Sequence, residues 1–597
     1  MARTKKVRRR RVRDWIGGVA LAILSSQGCN ASDSAMDSGS RESSDNSGNS
    51  NGTPTVTTGE GTSSNVSVTT GGNANLPSEI EVNVDFDAPQ ASVGYVYATN
   101  PEQDSVAVIN AKTLAIQIVE TGDEPRFLQT IPGKDSAIFI DVAAKDIAYL
   151  QTEGEVTTVQ YFTGLPAANT VAVAPDGKHA IAYFDFTRLH EGTVETLQDI
   201  TVMSLEADKP VTTRMTIGCQ ARKVTFAGGE SGADAAYVVT DDGVSIVKFA
   251  DVDANGSSLA KTVPVFSAIE QNAADVSVTP DGKYALGRIE GSSQIRLVEL
   301  ETGIAQNLDL SEALPGDTTN NGGSGGGGGT GGTNVTAQGG AAIQGGATGT
   351  STGVRSTITD LDLSADGSYA LAVSRERSTL VRIPIPDGFE NPELITKTKI
   401  DGVLVGAAAV SPNGHWAVLY TSVVTEERIV VVDLTNETEP YPLDLKKAVE
   451  GVTFSSTGEQ AFVVHQKVDG DPTETTITTE QMIDRSYGYS LVDLKDRFRK
   501  ILITDATPQQ TMAVPETPYV FLTFTGTNHK IQRINMDTFV DDSIDLGTHP
   551  VSMGVVPSAK RIFVNQEHVE GRMTFIDWDT MATRSVTGYE LNSMIRE

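Results

Sequence analysis

Four of the seven histidines, His190, His465, His529 and His568, follow short β-branched runs. Neutral imidazole is a common transition-metal ligand, and Glu191 and Glu567 adjoin two of them. Three of the four come from successive units of the chain, which makes a shared divalent metal site one expectation. Unrelated surface histidines are the competing one, because no paired-His spacing supports the metal. Asp251-Val-Asp-Ala-Asn-Gly256 carries oxygens at the first, third and fifth positions of a calcium loop and glycine at the sixth, on Asp251, Asp253 and Asn255. Thr262 stands at the twelfth position, where such loops carry Glu, so a solvated connection competes with a calcium site. No Gly-x-Ser-x-Gly, Cys-x-x-Cys-His or phosphate-loop motif occurs, and no catalytic residue is assigned. A Ser/His/Asp set remains open, because such triads assemble from distant positions.

The elements that would position these residues are short strands. A turn signal recurs between β runs: Val173-Ala-Pro-Asp-Gly-Lys-His-Ala-Ile-Ala-Tyr183, Val278-Thr-Pro-Asp-Gly-Lys-Tyr-Ala-Leu286, Leu363-Ser-Ala-Asp-Gly-Ser-Tyr-Ala-Leu-Ala-Val373, Val410-Ser-Pro-Asn-Gly-His-Trp-Ala-Val418 and Phe454-Ser-Ser-Thr-Gly-Glu-Gln-Ala-Phe-Val463. Proline presets φ for the first turn position, and Asp/Asn-Gly supplies the positive-φ end. A second landmark ends a strand in Asp, Glu or Asn, as in Val106-Ala-Val-Ile-Asn110, Val430-Val-Val-Asp433 and Met573-Thr-Phe-Ile-Asp577. Each unit therefore reads as strand A, turn, strand B, loop, strand C, turn, strand D. The units repeat at roughly 42 to 58 residues once the Gly-rich stretch 316–353 is set aside.

Four-stranded units repeated at this period predict an all-β chain, a β-propeller of four-stranded blades. Ten units are counted. The reading favours one ring of eight or more blades, with two smaller rings as the alternative. Glu79-Ile-Glu-Val-Asn-Val84 is available to complete the first unit or to close the ring. Long connections fall between strands B and C, at 185–194, 466–486 and 526–530, and the Gly-rich insertion falls between D and A. These share one rim, where a site is expected. The A–B rim reads as plain.

Tyr95-Val-Tyr-Ala-Thr-Asn100, Asp104-Ser-Val-Ala-Val-Ile-Asn110 and Thr121-Gly-Asp-Glu-Pro125 together resemble the YVTN-type β-propeller repeat. The resemblance covers roughly residues 90–590. It implies the fold and says little about function. Propeller lactonases share this blade pattern, but no Arg, His and Glu set is identified on one loop face. Quinone-dependent propeller dehydrogenases dock their blades with regular Trp motifs, and Trp15, Trp416 and Trp578 are the only tryptophans here.

The first 28 residues read as a signal peptide: a basic stretch to Arg13, a short apolar run Ile16–Leu24, then Ser25-Ser-Gln-Gly-Cys-Asn30. This resembles a bacterial lipoprotein signal, with Cys29 as the lipidated residue and Ser26 in place of the usual aliphatic. Cleavage nearby without lipidation is the alternative. Asn30 after the cysteine favours outer-membrane sorting, with the side of that membrane undecided. Residues 29–77, Ser/Gly/Asn/Thr-rich, read as a tether spanning about 40 Å. Residues 78–597 read as the propeller. If Cys29 is acylated, Cys219 has no intrachain partner, and it is expected to be a buried apolar residue. The chain carries −31 net, and residues 1–13 hold eight Lys/Arg and no acid, leaving −39 on the remainder. That argues against nucleic acid and anionic lipid surfaces. The expected function is a lipid-anchored cell-envelope propeller that binds or scaffolds a protein or glycan partner. The alternatives are a propeller-type hydrolase or lactonase with its site on the B–C rim, and a purely structural envelope protein. The lipid would be its only membrane attachment, no cofactor beyond a divalent metal or calcium is implied, and catalysis is the less favoured class.

Overall fold

The structure is a computed structural model. It describes residues 88–590 apart from 166, 189–195, 207–210, 230–231, 256–257, 267–272, 312–356, 437–438, 471–475 and 527. The chain divides into two units, 1–64 and 65–597, and all described residues belong to the second. The signal, the tether, Glu79–Val84, His190 and the Gly-rich insertion therefore lie outside the described residues.

Among the described residues, forty strands pair into ten four-stranded antiparallel sheets, each built from four strands consecutive in the chain. Blade 1 is β1–β4 (Gln90–Ala91, Tyr95–Asn100, Ser105–Asn110, Ile116–Glu120) and blade 2 is β5–β8 (Pro125–Thr130, Ser136–Asp141, Asp146–Glu153, Val156–Thr163). The count continues to blade 10, β37–β40 (Pro550–Val556, Arg561–Gln566, Arg572–Asp577, Thr583–Thr587). All ten counted units are true blades. Among the described residues, β1 supplies the first strand of the opening unit.

Burial grades the blade from its second strand outward. The B strand β6 is buried throughout, whereas the D strand β36 (Val540–Asp545) has only exposed and half-buried positions. Ten apolar clusters lie between consecutive blades. Tyr97, Val106 and Val108 pack against Leu128, Phe139 and Leu150 between blades 1 and 2. The tenth joins Val96, Ala107 and Ile109 of blade 1 to Phe563, Met573 and Phe575 of blade 10, closing a single ring. Burying both faces of every sheet is what makes a ring the stable solution for units that cannot cover themselves.

The sequence landmarks have direct physical roles. In the A–B turns, the residue before Pro or its replacement closes a five-residue span, as in Ala174 N–H to His179 O at 2.9 Å and Ser411 N–H to Trp416 O at 2.9 Å. Asp176, Asp281, Asp366 and Asn413 each accept the N–H two residues on at 3.0 Å. The glycine between has φ of 65° at Gly177 and 71° at Gly282, the left-handed region that glycine adopts without cost. The strand-C Asp or Asn caps the following turn: Asn110, Asp433 and Asp577 accept N–H groups two and three residues on, at 2.8–3.2 Å.

Cationic side chains tie neighbouring blades through these same C–D turns. Arg382 donates to Leu434 O at 3.2 Å and Lys500 to Phe539 O at 2.7 Å. Arg533 reaches Trp578 O at 2.7 Å and Asp579 O at 2.8 Å. Arg561 of blade 10 reaches Ala111 O of blade 1 at 2.5 Å, so the closing seam carries the same strut. The A–B and C–D rim is not plain. Helix α1 (Phe249–Asn255) and helix α2 (Asp387–Glu390) both occupy C–D connections there. Helix α3 (Thr479–Asp484) lies on the opposite rim, in the B–C connection of blade 8.

Candidate functional site

Strand order puts His465, His529 and His568 at the B–C ends of blades 8, 9 and 10, as expected, but in three different settings. His465 ends β30 (Gln460–His465) opposite Val449 and is fully buried. Its Nδ1–H donates to Ala448 O at 3.1 Å and its Nε2 accepts from Ser490 Oγ at 2.7 Å. Both ring nitrogens are engaged, and burial pushes its pKa down to about 4, so the ring is neutral at pH 7. Gln566 fills the matching place in blade 10, opposite Pro550. It donates to Leu546 O at 2.9 Å and accepts from the Thr574 hydroxyl. His465 is thus a strand-end tie to the preceding D–A link. His529 is exposed and His568 half-buried. Among the described residues, no three His, Cys, Asp or Glu side chains are grouped to hold a metal.

Asp251, Asp253 and Asn255 fall on α1, so their backbone is helical instead of wrapped as a calcium loop would be. Asp251 borders a cavity of about 520 Å³ on the A–B rim, with Tyr237, Leu259 and Lys261. Cys219 is buried, as expected, and is disulfide-bonded. The partner sulfur lies outside the described residues.

The B–C rim carries two further features, one on the long 466–486 connection expected there and one that the motifs did not reveal. The first is the blade 8 insert. Thr478 and Gln481 form a reciprocal capping box that starts α3, with Thr478 N–H to Gln481 Oε1 at 2.8 Å and Gln481 N–H to Thr478 Oγ1 at 3.1 Å. Its far end is pinned by Lys447, whose ammonium is wholly buried and donates to Ile483 O and Asp484 O, each at 2.9 Å. Burial holds the Lys447 pKa below the ordinary lysine value, with Asp484 and Glu427 opposing that shift. Beside the insert lies a cavity of about 560 Å³ between blades 8 and 9, bordered by Tyr487, Asp505, Thr525, Asn528, His529 and Asp545. Lys467 stands over the Tyr487 ring at 4.6 Å. An aromatic face beside carboxylates, an amide and an imidazole offers stacking and hydrogen bonding together.

The second feature lies at the inner end of the same rim, across blades 5 to 7. Arg288, 7 % exposed, pairs with Asp275 and donates to Ile358 O at 3.2 Å. Asp360 accepts from Ala408 N–H at 2.7 Å. Burial first, then the charge on Asp362, pushes the Asp360 carboxyl well above the usual carboxylate range. A carboxyl that keeps its proton near neutrality beside an ion pair is able to donate a hydrogen bond or a proton.

No family model and no curated protein matches this chain. Among solved structures it is similar to the dihydro-heme d1 dehydrogenase NirN, at 10 % identity over 66 % of this chain and 71 % of that one, with a TM-score of 0.39. It is also similar to a eukaryotic initiation factor, at 8 % identity over 83 % of this chain and 97 % of that one, with a TM-score of 0.44. A third is the Cps50 (Swd1) β-propeller domain of Myceliophteria thermophila, at 10 % identity over 61 % of this chain and 94 % of that one, with a TM-score of 0.31.

Proposed function

We propose that this chain is a YVTN-type propeller held in the bacterial cell envelope, at the outer membrane, by lipid on Cys29. In this reading it acts as a binding or scaffold module that presents its B–C rim to an envelope protein or glycan. The observation that carries the reading is the blade 8 insert. A helical loop fixed by a capping box and a buried lysine is a preordered surface, and rigid scaffolds with shaped loops are how recognition sites are commonly built. The neighbouring cavity, with Tyr487 beside Asp505, Asn528 and Asp545, suits a sugar ring or a polar peptide side chain. The net charge of −31 favours neutral or basic partners over nucleic acid. Capture from envelope extracts tests this: a Tyr487→Ala variant loses the partner that the unaltered protein retains. Identical captured sets would sink the reading.

The propeller-type hydrolase is kept as a second reading for one arrangement, the Asp360 carboxyl, pushed above the usual carboxylate range by burial, beside the Asp275–Arg288 pair. The anchor has its own test. Mass spectrometry of the mature N-terminal peptide is expected to find acyl chains on Cys29. A peptide released only by reduction would overturn the anchor.

A further inference from the structure

The outer edge of each blade is a D strand whose free N–H and C=O groups can pair with another chain, and proteins blunt such edges with charge or proline. Nine of the ten D strands here do so. Charges sit on β4 at Glu120, β12 (Val211–Thr216) at Arg214, β16 (Lys261–Val263) at Lys261, β20 (Ala305–Asp309) at Asp309 and β24 (Thr396–Lys399) at Lys397. Strand β28 (Tyr441–Asp444) has Pro442 and Asp444, β32 (Phe498–Thr504) has Arg499 and Lys500, β36 has three aspartates, and β40 has Arg584. Strand β8 of blade 2, Val-Thr-Thr-Val-Gln-Tyr-Phe-Thr, has neither charge nor proline, and at eight residues it is the longest of the ten. It leaves Val156 63 % and Tyr161 46 % exposed.

We propose that β8 is a docking edge for a second copy of this chain, the two β8 strands pairing antiparallel across a two-fold axis into one eight-stranded sheet. Turn geometry sets the register. Strands β7 and β8 are joined by the two residues Gly154 and Glu155, and only Gly154 has positive φ, which makes a tight hairpin closed by the Glu153–Val156 pair. Alternation from that pair directs Val156, Thr158, Gln160 and Phe162 to β7 and leaves the backbone groups of Thr157, Val159, Tyr161 and Thr163 facing outward. A two-fold axis at Gln160 pairs outward groups only with outward groups, setting Val159 opposite Tyr161 and Thr157 opposite Thr163. Aromatic with β-branched and Thr with Thr are both favourable cross-strand pairs. Self-pairing brings every edge charge onto its own copy, so within this ring the uncharged strand is the one suited to it. The remaining negative charge of two rings is screened over about 8 Å at physiological salt. One strand pair buries little area, so the association is weak and concentration-dependent.

Sedimentation velocity of the detergent-solubilised full chain, from about 1 to 100 µM, reads this directly. The unaltered protein shifts from monomer toward dimer, Thr158→Lys stays monomeric, and Val540→Lys on the already charged edge β36 behaves as unaltered. Gln160→Cys, whose position faces its own copy at the axis, gives an oxidised covalent dimer. A monomer at all concentrations, a dimer that survives Thr158→Lys, or no covalent dimer from Gln160→Cys would each overturn the proposal. Pairing of β8 with an added unrelated strand while the chain itself stays monomeric would also overturn it, since the occupant would then not be a second copy.

Discussion

Replacing Asp141 with Asn is expected to stabilise the ring at neutral and alkaline pH and to do little near pH 4. Asp141 ends β6 opposite Pro125 and is fully buried. Neither carboxyl oxygen has a hydrogen bond of ordinary geometry, although the nearby Gly122 N–H offsets part of the burial. Burial, with added repulsion from Asp146, Asp104 and Asp123, raises its pKa from 3.8 to about 7. The folded state thus binds the proton more tightly than the unfolded state. Its stability contribution is fully present below pH 3.8 and is lost as pH rises toward 7. A rise of roughly three units at 1.36 kcal/mol each makes the loss about 4 kcal/mol, an upper figure because water entry and relaxation reduce it. The assay is chemical denaturation of Asp141→Asn against the unaltered protein from pH 4 to 8. The two converge at pH 4, and the variant's midpoint is higher at pH 8. Equal midpoints at pH 8, or a less stable variant there, would refute the assignment of a buried neutral carboxyl.

Three further outcomes are expected. His465 titrates with the opposite sign: its stability contribution is present above pH 6.5 and falls away as pH drops toward 4, by about 3 kcal/mol. His465→Gln, which copies the residue blade 10 uses, flattens that acid limb in a pH series of denaturation midpoints. Lys447→Met removes the ammonium from Ile483 O and Asp484 O, which keep only their backbone partners Ser486 N–H and Val468 N–H, and costs about 1.5–3 kcal/mol for each charge-assisted bond lost. Hydrogen exchange at Val468, Arg485 and Ser486 then speeds up while blades 1 to 6 keep their protection. Arg561→Ala removes the strut from blade 10 to Ala111 and lowers the thermal midpoint, whereas an exposed Lys399→Ala change leaves it within error.

The blade repeat was legible because its signals are local. Pro-Asp-Gly turns and strand-end Asp or Asn residues act on N–H groups two or three positions away, so they appear as written spacings. Blade number followed from counting them. That all ten close into one ring depends on packing between residues about 470 positions apart, such as Val96 and Phe563, and no local spacing reports that. The histidines were read from one shared feature, their place after B strands. That feature holds for His465, yet the same position is also where a polar side chain ties down the D–A link, and burial decided its role. Lys447 gave no signal at all, because a lysine in a link looks solvated until the insert folds over it. The Asp275, Arg288 and Asp360 group is likewise drawn from separate blades, with Ile358 and Ala408 supplying its backbone partners. The A–B rim looked plain because its turns are short, but the helices there belong to C–D connections.

Two exposed histidines offer the most direct test of the B–C rim as the recognition face. His529 lies on the B–C rim beside the blade 8 and 9 cavity, and His415 lies in an A–B turn on the opposite rim. A photo-crosslinking residue is placed at each position in turn in the full chain, expressed in intact envelopes. A discrete adduct from position 529 and none from position 415 is the predicted result. Adducts from position 415 alone would contradict the account.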